Sequence, residues 1–185
     1  MNKAVFLDRD GVINRKAPQG DYIVRWQEFE ILPGVVEAIR NLNQAGYKVI
    51  IVTNQRAVAK NKITITELEE IHRKLIAEVG QSGAVIDRIY FCPHEIENKC
   101  ECRKPEPGML LRALEEFQID LQQSWMIGDS AVDIEAGRRA GCRTALITAG
   151  RTEGTHGADI LAEDLYQAVK KILRAETPVP VSTGL

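Results

Sequence analysis

Two carboxylates, Asp8 and Asp10, stand two residues apart at the end of the apolar run 4–7, and Gly11 follows them. Side chains at i and i+2 of extended chain share a face, so both acids can converge on one small volume while Arg9 points elsewhere. Two carboxylates held that close repel unless a proton or a cation lies between them, which makes a divalent metal the natural third member. Asp-Gly is also an ordinary way to close a strand, and this stretch alone does not choose between the two readings.

Other polar positions could serve the same bound group. Thr53-Asn54-Gln55 ends a second apolar run, Lys104 precedes Pro105, and Asp129 is followed four residues later by Asp133. If the group is a phosphate monoester, Asp8 can attack phosphorus in line and form an aspartyl-phosphate. Asp10 is then placed to protonate the leaving alcohol and later to deprotonate the attacking water. Charge spreads over the transferring phosphoryl oxygens, so catalysis calls for positioned positive charge and hydrogen-bond donors. Mg²⁺ held by Asp8, Asp129 and the main-chain carbonyl of Asp10 would supply the first, because hard oxygen ligands suit that ion. Lys104 and Thr53 would supply the second, and Asp133 would order the metal's water shell. Each position has a plainer alternative: Thr53 and Asn54 as a cap, Lys104 as a surface lysine, Asp133 as the acid of a capping box.

A second constellation is local. Three of the four cysteines, Cys92, Cys100 and Cys102, crowd around His94. Three thiolates and one imidazole make a closed tetrahedral zinc site with no position left for water, so that site is expected to be structural. The metal would hold a polar loop with little core of its own and, through it, the adjacent Arg103 and Lys104. Cys142 has no partner nearby in sequence and reads as a small buried hydrophobe.

The elements that must position these groups follow from periodicity. Continuous apolar runs at 4–7, 47–52, 87–91, 124–127 and 143–147 read as buried strands. Helical spacing appears from Pro33 to a C-terminal Gly46, and from a capping box of Thr66 and Glu69 onward, with His72 on the surface. Further helices run from Pro107 with Leu110, Leu111, Leu114 and Phe117 on one face, from Ser130 to Ala140, and over 161–173. Residues 56–65 read as a basic loop and 176–185 as a loose tail. Strands alternate with helices, so the expected fold is α/β, a doubly wound, mostly parallel sheet in one domain over 1–175. In such sheets ligands bind beyond the carboxyl ends of the strands, where Asp8, Thr53 and Asp129 all fall. The intervals between motifs leave no room for a large cap domain.

Composition narrows the function further. With 44% hydrophobic residues among 185, the chain can bury a real core, and a formal charge of -2 provides no basic field for nucleic acid or an anionic membrane. No apolar stretch approaches a membrane span and no signal-peptide pattern opens the chain, so a cytoplasmic monomer acting on a small molecule is expected.

Asp-Arg-Asp-Gly-Val, a strand ending in Thr-Asn-Gln, then Arg-Lys-Pro, then Gly-Asp-x-x-x-Asp resembles the haloacid dehalogenase superfamily of phosphatases over roughly residues 3 to 150. The resemblance implies Asp8 as nucleophile, Asp10 as proton donor, and Thr53 and Lys104 as phosphoryl stabilisers. It further implies a Mg²⁺ site of Asp8, Asp10 and Asp129, and Arg103 in substrate recognition. The Cys/His loop beside Arg103 points to the branch acting on sugar bisphosphates, a heptose bisphosphate first and histidinol phosphate as the alternative. Asn54, Gln55, Arg56, Asp21 and Tyr22 complete the expected substrate contacts. Arg56-Ala57 and Ser130 depart from the family pattern; a guanidinium at 56 either meets a second phosphate or is solvated. A phospho-acceptor signalling module would also combine acids, a Thr and a Lys on a parallel sheet, but would have no need of Asp10.

Overall fold

The computed structural model describes residues 1–151 and 154–176. Six strands form one parallel sheet in the order β3-β2-β1-β4-β5-β6. The strands are β1 (Lys3–Leu7), β2 (Tyr47–Asn54), β3 (Arg88–Cys92), β4 (Trp125–Gly128), β5 (Arg143–Ile147) and β6 (Ile160–Ala162). The connecting helices are α1 (Val35–Gln44), α2 (Arg56–Ala59), α3 (Ile65–Gln81), α4 (Gly108–Phe117), α5 (Ala131–Ala140) and α6 (Leu165–Glu176).

Successive side chains of a strand face opposite ways, and β1 divides its side chains between two apolar layers. Val5 and Leu7 pack with the buried faces of α1, α3 and α6. Ala4 and Phe6 pack with Met109, Leu110 and Ala113 of α4 and with Ala136 of α5. With both faces covered, the central strands must be apolar throughout, as Val49 to Val52 are, all without solvent exposure. The polar groups that the chain places at strand ends therefore gather along one edge.

Several local expectations are revised. The cap of α3 is Thr64 with Glu67, not Thr66 with Glu69, because the helix starts two residues earlier. Residues 56–59, expected as loop, form α2. Within 161–173 the chain first adds β6 beside β5, and α6 begins only at Leu165, where Asp164 accepts a hydrogen bond from the Gln167 amide. Leu111 is exposed, since Met109, Leu110 and Ala113 already fill the buried stripe of α4. Glu176, assigned to the tail, is the last residue of α6 and pairs with Lys3 and Arg143; the tail from 177 onward lies outside the described residues. By contrast α5 carries its expected capping box, Ser130 with Asp133, and ends at a left-handed Gly141.

Candidate active site

The strand order reverses between β1 and β4, and doubly wound sheets open a crevice at that switch point. The Asp8 amide continues the ladder by donating to the Ile127 carbonyl at 2.9 Å, which sets Asp8 beside the end of β4. Chain direction then carries Gly128 into Asp129 and the first turn of α5 into Asp133. A Cβ on Gly128 would lie 2.1 Å from Asp133 Cβ, so only glycine allows strand and helix to close this tightly. Asp8, Asp129 and Asp133 each present a carboxylate oxygen within 4.8 Å of one another.

Lys104 lies among them. Its Nζ donates to Asp8 Oδ1 and to the Val52 carbonyl, each at 2.7 Å, and pairs with Asp133 Oδ1 at 2.7 Å. The lysine is 3% exposed and cannot wander. Asn54 pins its main chain from both sides, accepting from the Lys104 amide and donating to the Lys104 carbonyl at 3.1 Å each. Asp133 thus serves as the acid of the capping box and also meets Lys104, a contact that its spacing did not suggest. Its Oδ2 caps α5 through Ser130 while its Oδ1 meets the lysine.

Burial pushes the Asp8 carboxyl up to about 7, with Asp133 and Asp10 adding to the rise and Lys104 opposing it. Burial also raises Asp129, against the pull of Lys16 and Arg151. For Lys104 burial acts the other way, but Asp133 and Asp8 outweigh it and keep the ammonium protonated. Carboxyls raised in this way are short of positive charge, and Asp129 Oδ1 is buried without a hydrogen-bond partner. The donor set of hard oxygens around an orphaned acceptor fits a magnesium ion.

Asp10 is not one of those three carboxylates and has partners of its own. Arg9 Nη2 forks both of its oxygens at 3.0 Å, Asn14 donates to Oδ1 at 3.0 Å, and Gln55 Nε2 donates to Oδ2 at 2.9 Å. Burial alone would raise this carboxyl, yet the Arg9 charge and these bonds hold it below the ordinary carboxylate range. Gln55 also donates to Thr53 Oγ1 at 2.9 Å and so bridges Asp10 and Thr53. Two sequence expectations are corrected here. Arg9 points inward rather than elsewhere, 1% exposed, and His72, expected on the surface, is 5% exposed with Nε2 at 3.1 Å from Arg9 Nη1.

Lys16 was not anticipated. Its Nζ lies 2.6 Å from Asp129 Oδ2, and its stem passes over Gly11, where a Cβ would meet Asp129 Oδ2 at 2.3 Å and Lys16 Cε at 2.7 Å. A single cation in a polar loop carries no sequence signal for such a contact. Asp21 and Tyr22 line a cleft of about 250 Å³ that also includes Lys16, Asp10, Asn54 and Gln55. On the other side of Asn54 a larger cleft of about 620 Å³ reaches Arg103, Lys104, Ile96 and Val132. Arg103 donates to the His94 carbonyl at 3.1 Å. Arg56 enters neither cleft; it is paired with Glu95 of the Cys/His loop.

The second constellation closes as its spacing suggests. Cys92 Sγ lies 3.5 Å from Cys100 Sγ and 3.2 Å from Cys102 Sγ, and His94 Nδ1 lies 3.3 Å from Cys102 Sγ and 3.6 Å from Cys92 Sγ. A tetrahedral zinc with sulfur at about 2.3 Å requires edges of roughly 3.8 Å, so a small expansion would seat the ion. All four cysteines are free. Burial and the neighbouring sulfurs push the Cys102 thiol up, the behaviour of three thiols that cannot all ionise without a cation.

A parallel sheet with an acid after β1, a threonine near the end of β2, a buried lysine and two acids around the start of α5 is a phosphoryl-transfer arrangement. Residues 2–141 match the haloacid dehalogenase-like hydrolase family, and the chain belongs to it. It is a phosphatase. The chain is 40% identical over 153 residues to the D-glycero-beta-D-manno-heptose-1,7-bisphosphate 7-phosphatase of Pseudomonas putida, covering 83% of this chain and 86% of the relative. To the protein of the same name from Escherichia coli K12 it is 36% identical over 182 residues, covering 91% and 94%. Among solved structures, the D,D-heptose 1,7-bisphosphate phosphatase of B. bronchiseptica, complexed with magnesium and phosphate, superposes with a TM-score of 0.84 at 33% identity, covering 94% and 99% of the two chains. Among the described residues no helix is long and apolar enough to cross a membrane.

Proposed function

We propose that this phosphatase is magnesium-dependent and removes the 7-phosphate of D-glycero-D-manno-heptose 1,7-bisphosphate through an aspartyl-phosphate on Asp8. The convergence of Asp8, Lys104, Asp129 and Asp133 at the switch point carries the reading. The names of the relatives support the substrate, and the B. bronchiseptica complex supports the metal.

In this reading an Asp8 oxygen attacks phosphorus, the bond from phosphorus to the sugar oxygen breaks, and Asp10 gives its proton to that oxygen. Water then attacks the phosphoryl group, Asp10 takes its proton, and the bond to Asp8 breaks to release inorganic phosphate. Asp10 needs a proton for the first step, and a phosphate dianion bound beside it raises its proton affinity by like-charge repulsion. Lys104, fixed by Asp8, Asp133 and Asn54, neutralises a phosphoryl oxygen, and Thr53 donates to another. Asp8, Asp129 and the main-chain carbonyl of Asp10 would hold magnesium, with Asp133 placed to order its waters, and the ion would supply further charge neutralisation. Cys92, His94, Cys100 and Cys102 would hold zinc, which would fix the loop that carries Arg103 to the larger cleft.

The test is turnover of heptose 1,7-bisphosphate and histidinol phosphate in parallel, with and without magnesium. The heptose ester is expected to be preferred at least about tenfold in kcat/KM, equivalent to about 1.4 kcal/mol of transition-state binding. The opposite preference moves the assignment to histidinol phosphate. Alcohol release that stops at one equivalent per chain, with the phosphoryl group retained on the protein, overturns the hydrolytic reading.

A further inference from the structure

We propose that His72 is a positioning residue for Asp10, acting through Arg9. The inference rests on the assignment of Asp10 as proton donor in the proposed reaction. A guanidinium only donates hydrogen bonds, so at 3.1 Å from Arg9 Nη1 the His72 Nε2 must accept, which leaves the ring neutral with its proton on Nδ1. Arg9 is thereby held at both ends. One edge forks the two Asp10 oxygens at 3.0 Å while Nη1 is tied to the imidazole on α3. A rigid planar fork meets two such partners in one orientation only, so the imidazole sets the rotation of the guanidinium and with it the aim of the carboxylate.

The surroundings leave Arg9 few alternatives. The Phe29 ring lies 5.6 Å from its Cζ, and Phe91 packs at 5.7 Å against the His72 ring. Beyond Asp10 the chain of bonds continues through Gln55 to Thr53, each step at 2.9 Å. A continuous hydrogen-bonded line therefore runs from the middle of α3 into the phosphoryl pocket. Without the imidazole, Nη1 is a buried donor lacking a partner, and the fork swings to find one.

Filling space in the core would be a sufficient reason for His72 to be buried, and the leaving group separates that reason from this one. p-Nitrophenolate departs from phosphorus without a proton, whereas a sugar alcohol needs one. We compare kcat/KM on p-nitrophenyl phosphate and on the best sugar phosphate of the substrate comparison, because kcat/KM reads the step in which the phospho-enzyme forms. His72→Leu is expected to lose about tenfold on the sugar ester while changing less than about twofold on the nitrophenyl ester. His72→Gln, whose carbonyl can accept from Arg9, is expected to restore the sugar ester rate. Arg9→Lys, which cannot span both partners, should discriminate as His72→Leu does and serves if the leucine variant does not fold. Equal losses on both esters, or none, overturn the proposal. Asp10→Asn in parallel separates the failures: if it shows no leaving-group discrimination, the assignment of Asp10 fails, and if it discriminates while His72→Leu and Arg9→Lys do not, the positioning role alone fails.

Discussion

The carboxylate site and the cysteine cluster are both candidate metal centres, and they are assembled in opposite ways. The cluster draws Cys92 from the end of β3 and His94, Cys100 and Cys102 from the loop that follows it. The carboxylate site needs residues 8, 53, 104, 129 and 133, brought together only when β1, β2 and β4 pair and α5 docks. The first lies mostly in one stretch of loop, whereas the second is assembled by the sheet. A loop that leans on its metal should come apart when the ion leaves, whereas a site built on strand ends should lose chemistry and keep its shape.

The largest expected effect is the sharpest form of that contrast. Asp8→Asn removes the attacking oxygen and is expected to lower phosphate release by about 10³-fold or more, while zinc content, read by metal analysis, stays at the wild-type level. Lys104→Met comes next. It strips the ammonium from between two buried carboxylates, and breaking such a buried pair costs about 3–5 kcal/mol. Urea unfolding without magnesium should register that loss, and added magnesium should recover part of it.

Cys102→Ser should empty the cluster and lower activity by roughly 10- to 100-fold, the usual consequence of disturbing what supports a site. Hydrogen exchange should rise across 92–104 and remain low in β1 and β4. Uniform exchange across both regions would mean that the two centres are held in the same way.

The smallest effect concerns pH. Burial, helped by the Arg9 charge and opposed by Asp10, pushes the His72 imidazolium down to about 3. Below the unfolded value of about 6.5 the unfolded chain takes up a proton that the folded chain refuses, so this residue destabilises the fold as pH falls between those limits. At about 1.4 kcal/mol per pH unit, moving from pH 7.5 to 5 should cost about 2 kcal/mol through His72. Urea midpoints at the two pH values should show that increment in the wild type and not in His72→Gln. Zinc loss in acid would act on both proteins alike and so cancels from the difference.

The same contrast explains what was legible beforehand. The cluster could be read because its chemistry is contiguous, and the strand ends could be read because apolar runs stop at polar residues. The capping box of α5 was visible in Ser130 and Asp133 because the two bond to each other across three residues. Side-chain directions beyond the strand ends were not. Arg9 is charged, and nothing near it in sequence says that His72, which lies 63 positions away, will receive it in the interior. Lys16 captures Asp129 by lying over a glycine, and Arg56 pairs with Glu95 of the Cys/His loop. β6 was missed because three residues are too few to show a period, and its pairing with β5 is what makes it a strand.

Glu176 extends the contrast to the other end of the molecule. Its carboxylate meets Lys3, Tyr47 and Arg143, the opening residues of β1, β2 and β5. One acid thus ties three strands together at their amino ends, the margin of the sheet farthest from the phosphoryl pocket. The fold is fastened at one margin and reactive at the other, so changes to the fastening can alter how long the enzyme lasts without altering how fast it works.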